Sequence, residues 1–167
     1  MSMQSILSNL ATLTHWLSRS ALAISAAGLI LMTLINGWQV FARYVLNASP
    51  AWSESSALLL MLYYIMLAAA VGVYENFHLG LKILIDSVPT YIKRGLDIFI
   101  QMLIIVFGIA MLTNGIELAK FTADHIIPTM GISRALAYWP FSAAGLFISI
   151  FALEKILIAI TSNNADQ

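Results

Sequence analysis

The chain has 167 residues, of which 60% are hydrophobic and only 10% charged, with zero formal net charge and a mean hydropathy of +0.88. A soluble domain of this composition would lack the polar side chains needed to cover its surface, and the absence of a basic cluster excludes nucleic acid as a partner. Cysteine is absent, which removes disulfides, thiolate nucleophiles, cysteine zinc sites and cysteine-held iron–sulfur clusters.

The N-terminal stretch comes first. Ile6, Leu7, Leu10, Leu13 and Leu17 recur at helical spacing, with Ser5, Ser8, Asn9 and Thr12 on much of the other side. This pattern predicts a short amphipathic helix over about residues 3–17, lying in the membrane interface. Trp16 and Arg19 stand where an aromatic anchor and a positive charge mark a membrane surface.

Four uncharged apolar runs follow, Ser20 to Ala42, Ser55 to Tyr74, Ile98 to Ile116 and Ala135 to Leu153. Each has about the twenty residues that cross a hydrocarbon core of roughly 30 Å. Lipid cannot satisfy backbone amides, so each run must close its own hydrogen bonds as a helix. The expected fold is an all-α integral membrane protein with four transmembrane helices, short amphipathic interfacial helices and a single membrane domain. The first run is too long and starts too late for a cleaved signal peptide, and it is read as a retained span. Arg43, Glu54, Glu75, Asp97, Glu117, Arg134 and Glu154 all fall at or beyond the ends of the runs.

The first connection, Asn47 to Pro50, is short and predicts two tightly linked antiparallel spans. The second, Glu75 to Asp97, places Leu81, Leu84, Ile85, Val88 and Ile92 on one helical face, which predicts an in-plane arm over about residues 79–92, bent at Pro89. The third carries Pro128 and Gly131 and is expected to be irregular. Five Lys and Arg residues lie on the side of the termini (Arg19, Lys82, Lys93, Arg94, Lys155) against three on the other (Arg43, Lys120, Arg134), which places both termini in the cytoplasm. Small-xxx-small pairs at Ala23/Ala27, Ala68/Gly72 and Gly145/Ser149 are candidate helix contacts.

Within the spans the most distinctive polar feature is a stripe of Asn36, Gln39 and Arg43, within about 60° of one helical face. Such a stripe faces either protein, in this chain or in another subunit, or a substrate path. Arg43 and Glu54 end and begin neighbouring spans, so an ion pair across the turn is open to them, as is separate solvation. His15, His78 and His125 do not meet at one membrane depth, which argues against haem, and Glu75 with His78 supplies only two candidate metal ligands. Tyr63-Tyr64 and Trp139-Pro140 read as packing, with Pro140 a candidate kink in the fourth helix. No nucleophile elbow, phosphate loop or paired intramembrane acid and histidine occurs, so no catalytic, metal or cofactor residues are assigned. A self-contained exporter would need an acid inside a helix, for which Glu117, beside Lys120, is the nearest candidate.

The run Trp38-Gln39-Val40-Phe41-Ala42-Arg43-Tyr44-Val45-Leu46-Asn47, followed by Ser49-Pro50-Ala51-Trp52-Ser53-Glu54, resembles the first hairpin of the small membrane subunit of tripartite ATP-independent periplasmic (TRAP) transporters. Glu75-Asn76-Phe77-His78-Leu79 is similar to that family's segment after the second span. One departure stands out: Ser55 follows Glu54 where the family often has paired acids. The resemblance implies a bacterial inner-membrane complex with a large elevator-type membrane subunit, which carries the substrate and sodium sites, and a periplasmic substrate-binding protein. The chain itself is then a non-catalytic scaffold set among membrane lipids, with an organic acid, sialic acid in particular, as the transported substrate. By the same resemblance Arg43, Trp52, Glu54 and His78 hold the hairpin and contact the large subunit.

Overall fold

In the computed structural model, residues 3–48, 50–75 and 90–163 are described, with side chains over 10–48, 50–75 and 95–158. Four long helices, α1 (Met3–Tyr44), α2 (Ala51–Tyr74), α3 (Thr90–Phe121) and α4 (Trp139–Asn163), carry almost all of it. A two-stranded antiparallel hairpin, β1 (Ile126–Ile127) with β2 (Ile132–Ser133), and one 3-10 turn (Arg134–Ala137) join α3 to α4. Each of the four helices contains a segment long and apolar enough to cross a membrane. Residues in the middle of those segments, such as Ile30, Leu34, Val106 and Phe107, are well over half exposed, the inverse of a soluble protein and the arrangement expected where lipid is the solvent. The chain is a multi-pass, all-α membrane protein.

The N-terminal stretch is not a separate helix. Leu17-Ser18-Arg19-Ser20 contains no proline or glycine, so nothing stops the helix, and α1 runs unbroken for 42 residues. At 1.5 Å per residue it is about 63 Å long, twice the hydrocarbon core, so its first turns reach beyond the span or the helix tilts strongly. The expected arm at residues 79–92 falls almost wholly outside the described residues.

Helices α1 and α2 form one antiparallel hairpin and α3 and α4 a second, and the two are joined along α2 and α4. On α1 the positions Thr14, Ser18, Ala21, Ser25, Gly28, Met32, Ile35, Gln39 and Ala42, at alternating steps of four and three, are all buried or half-buried. Ser53, Ala57, Leu60, Tyr64, Leu67, Val71 and Tyr74 repeat the rhythm on α2. This is the 3.5-residue repeat of left-handed knobs-into-holes packing. Most of the α1 knobs are small, because in lipid the helices gain from close van der Waals approach rather than from excluding water.

Glycine brings α3 and α4 closer still. A Cβ on Gly145 would lie 2.5 Å from the Gly108 carbonyl oxygen and 2.7 Å from the Leu112 nitrogen, and one on Gly108 would lie 2.5 Å from Ser149 Oγ. The Gly145/Ser149 pair therefore makes the contact its spacing suggested. The other two small-residue pairs do not: Ala23, Ala27 and Ala68 are exposed, and the seam instead uses Ala21, Ser25 and Gly28 one face away. Where the two hairpins meet, Ala70, Ala144, Ile148 and Phe151 form the core, with Tyr74 packed on Phe151 at 5.1 Å between ring centroids.

Two further expectations are revised. Pro140 is not a mid-helix kink; it is buried in the first turn of α4, where no helical partner is needed for the missing amide. Glu154 is not an end charge, because α4 continues to Asn163 and leaves it 6% exposed.

Gly145→Val is expected to destabilise the purified protein by about 1–3 kcal/mol through overpacking, whereas Gly37→Ala, with open space around it, should be neutral or gain up to about 1 kcal/mol. Thermal unfolding in a mild detergent measures both.

Candidate functional site: the α1–α2 hairpin and its polar stripe

Several hydroxyls within the spans are satisfied locally. Ser25, Thr33, Ser56, Thr113 and Ser149 each donate to the carbonyl four residues earlier at 2.8–3.0 Å, and Asn114 Nδ2 donates to the Ala110 carbonyl at 2.7 Å. Such bonds remove polar groups from lipid without a partner helix. Asn36 and Gln39 differ. Both are half-buried, and among the described residues neither amide side chain makes a hydrogen bond. Gln39 lies in the α1–α2 seam, while Asn36 lies beside it, about 12 Å inside the end of α1 at 1.5 Å per residue. A primary amide left in hydrocarbon without a partner is costly, which sets these two side chains apart from the hydroxyls of the spans.

Arg43 is one turn further on and exposed, as are Trp52 (44%) and Glu54 across the turn. The structure gathers these three at one end of the hairpin. Trp38, Phe41 and Tyr44 surround them, also exposed, with Trp38 and Phe41 rings 5.9 Å apart, an aromatic belt of the kind found at headgroup depth. His78 lies outside the described residues.

The ion pair open to Arg43 and Glu54 is not made; among the described residues neither has a charged partner. Backbone and small residues hold the turn instead. The Val45 amide donates to the Phe41 carbonyl at 2.8 Å and the Ala48 amide to the Ala42 carbonyl at 3.1 Å, with Asn47 at φ 51° reversing the chain. Ser53 Oγ donates to the Pro50 carbonyl at 2.7 Å, and Ala42 and Ser53 are almost wholly buried, so the helices touch at the turn itself.

Contacts that the sequence did not disclose tie this hairpin to the second. Ser55 Oγ and Thr129 Oγ1 are 2.6 Å apart, and the Tyr63 hydroxyl donates to the Leu136 carbonyl at 2.9 Å. Ser55 is the position at which the chain departs from paired acids, and its short hydroxyl reaches the β-hairpin loop. At the opposite end Lys155 Nζ donates to the Val73 carbonyl at 2.5 Å, capping the last turn of α2, where the helix dipole favours a cation. Buried oxygens without a partner remain on Glu154, Gln101 and Ser142. Among the described residues no group of three potential metal ligands occurs; His15 and His125 are exposed, and His125 stacks on Phe121. Glu117 is exposed near the end of α3, not enclosed in the bundle.

Residues 32–161, the greater part of the chain, including the polar stripe, the turn and all of α2, match the family described as tripartite ATP-independent periplasmic transporters, DctQ component. The chain belongs to this family. It is a TRAP small permease subunit. Among its relatives is the sialic acid TRAP transporter small permease protein SiaQ of Vibrio cholerae, 26% identical over 75% of this chain and 76% of that protein. The chain is also 29% identical, over 75% of its own length, to one fifth (20%) of the sialic acid TRAP transporter permease protein SiaT of Haemophilus influenzae. The C4-dicarboxylate TRAP transporter small permease protein DctQ of Vibrio cholerae is 24% identical over 65% of this chain and 50% of that protein. These relatives are transporter subunits.

Since Arg43 makes no internal ion pair, Arg43→Ala is expected to change the stability of this TRAP subunit by less than about 0.5 kcal/mol. Ser53→Leu should lower it by about 1–3 kcal/mol. Tyr63→Phe, which deletes the bond to Leu136, should cost about 0.5–1.5 kcal/mol. Denaturation of the three variants in the same detergent gives the ranking.

Proposed function

We propose that this subunit is a fixed scaffold in the bacterial inner membrane, docked through the polar stripe of α1 to a large elevator-type permease. One observation carries the reading: Asn36 and Gln39 are half-buried, lie inside the span and have no hydrogen-bond partner among the described residues, whereas the Ser25 and Thr33 hydroxyls of the same helix are bonded to its own carbonyls. A subunit interface supplies partners that lipid does not. Arg43, Trp52 and Glu54, exposed at the same end, extend that surface to the headgroups, and His78 is assigned to it by the family resemblance. Both termini face the cytoplasm, following the charge distribution of the connections.

In this reading the large subunit holds the substrate and couples its movement to sodium, and a soluble periplasmic protein delivers an organic acid. Sialic acid is the first candidate, from the names of two relatives. The C4-dicarboxylate relative marks the alternative class. The small subunit touches neither substrate nor ion. Its own polar groups support this, because Ser25, Thr33, Ser56, Thr113 and Ser149 are turned back onto their own helices.

Replacing Asn36 and Gln39 together by leucine should weaken association with the large subunit about tenfold, from about 1.4 kcal/mol of lost hydrogen bonding, with the melting temperature of the isolated subunit unchanged. Copurification in mild detergent reads the first quantity. Reconstituted alone in liposomes, the chain should leave a gradient of labelled sialic acid untouched. Ion-driven accumulation by the chain alone would contradict the scaffold and favour a self-contained transporter.

A further inference from the structure

Between α2 and the loop that joins α3 to α4 lies a cavity of about 330 Å³, within the range of small-molecule sites. Its walls are apolar: Leu58, Leu59 and Leu62 of α2 face Ile127 and Tyr138, and Arg134 stands in the lining. The depth of these groups is fixed by the fold. Arg134 begins the fourth membrane-crossing segment and Leu58 lies in the second turn of α2, so the guanidinium is at headgroup level. Leu62 lies about 10 Å deeper than Ser55 along α2, at 1.5 Å per residue, well inside one leaflet.

The backbone at Arg134 is anchored and its side chain left free. Its amide donates to the His125 carbonyl at 2.7 Å, and Ser133 Oγ accepts from the Ala135 amide while donating to the Ala123 carbonyl. Among the described residues its guanidinium has neither a hydrogen bond nor an ion pair. The neighbouring hydroxyls of Ser55 and Thr129 are bonded to each other. An unpaired cation on an anchored backbone, at headgroup depth above a mostly apolar slot, matches one chemistry: a phosphate ester joined to an acyl chain. Arginine is suited to the phosphate because its planar fork donates two parallel hydrogen bonds.

We infer that this slot is a binding site for one glycerophospholipid, its phosphate on Arg134 and one acyl chain along Leu58, Leu59 and Leu62. The lipid fills the gap between α2 and the loop region, which is bridged by side-chain contacts at Ser55–Thr129, Ser56–Met130 and Tyr63–Leu136.

The test is native mass spectrometry of the full chain, extracted from membranes in mild detergent. One phospholipid per chain is expected, with occupancy reduced about tenfold in Arg134→Gln and similarly in Leu62→Trp, which fills the slot. Arg43→Gln, at the same membrane face but outside the slot, should retain the lipid. If Leu62→Trp fails to fold, Arg134→Gln decides, since its backbone bonds are untouched. Wild-type protein without lipid, or undiminished lipid on folded Arg134→Gln, would overturn the site. In the assembled transporter a photocrosslinker at Leu59 should acquire the mass of a phospholipid; coupling to a polypeptide instead would show that a protein segment occupies the slot and would also overturn it.

Discussion

Close approach of helix backbones is the constraint on which the rest of this structure depends. In lipid an isoleucine gains little by leaving one apolar neighbour for another, so helices associate only where small side chains let their surfaces interlock. Ala21, Ser25, Gly28 and Ala42 provide that on α1, Ser53 and Ala57 on α2, and Gly108, Gly115 and Gly145 between α3 and α4. Large apolar side chains, which would build the core of a soluble protein, point outward instead. Each hairpin is a rigid pair because its contact leaves no room for sliding, and the two pairs are fastened at one end by Tyr63 and Ser55 and at the other by Lys155 on the α2 terminus.

Rigidity of this kind bears directly on function. Under the scaffold proposal the subunit gives a moving partner something fixed to move against, at a set depth in the bilayer. The 42-residue α1 and 32-residue α3 both exceed the thickness of the hydrocarbon core, and the aromatic belt of Trp38, Phe41, Tyr44 and Trp52 marks one interface. Long helices and interfacial aromatics resist vertical movement, since displacement would carry their ends through the headgroup layer. Among the described residues the bundle leaves the Asn36 and Gln39 amides without a partner, which is the ground for the proposed docking.

Much of this was legible before the structure. The four spans could be read because lipid excludes charge, so Arg43, Glu75, Glu117 and Arg134 punctuate the chain, and the family could be read from the residues around Arg43 and Trp52. What escaped has a physical reason in each case. Most of the α1 side of the α1–α2 seam is Ala, Ser, Gly and Thr, which carry little hydropathy contrast, so its 3.5-residue rhythm is nearly silent in a pattern search, and the small pairs that spacing suggests at Ala23 and Ala68 lie on the wrong face. Glu154 was taken for an end charge because hydropathy falls there, yet helix formation depends on backbone bonds and α4 continues. The Arg43–Glu54 pair was open on proximity alone, but the turn is closed by backbone bonds around Asn47 and needs no charge. The Ser55–Thr129 contact joins residues 74 apart in sequence, beyond the reach of any local signal.

The claim that everything else serves is that this subunit does not change shape while its partner moves. Spin labels on two exposed positions of opposite hairpins, Leu31 on α1 and Val106 on α3, would report it by electron-electron distance measurement in the assembled transporter. One narrow distance distribution, the same with and without coupling ion and organic acid, is the expected result. A shift of the mean with substrate and ion, comparable to the travel of a mobile transport domain, would contradict it.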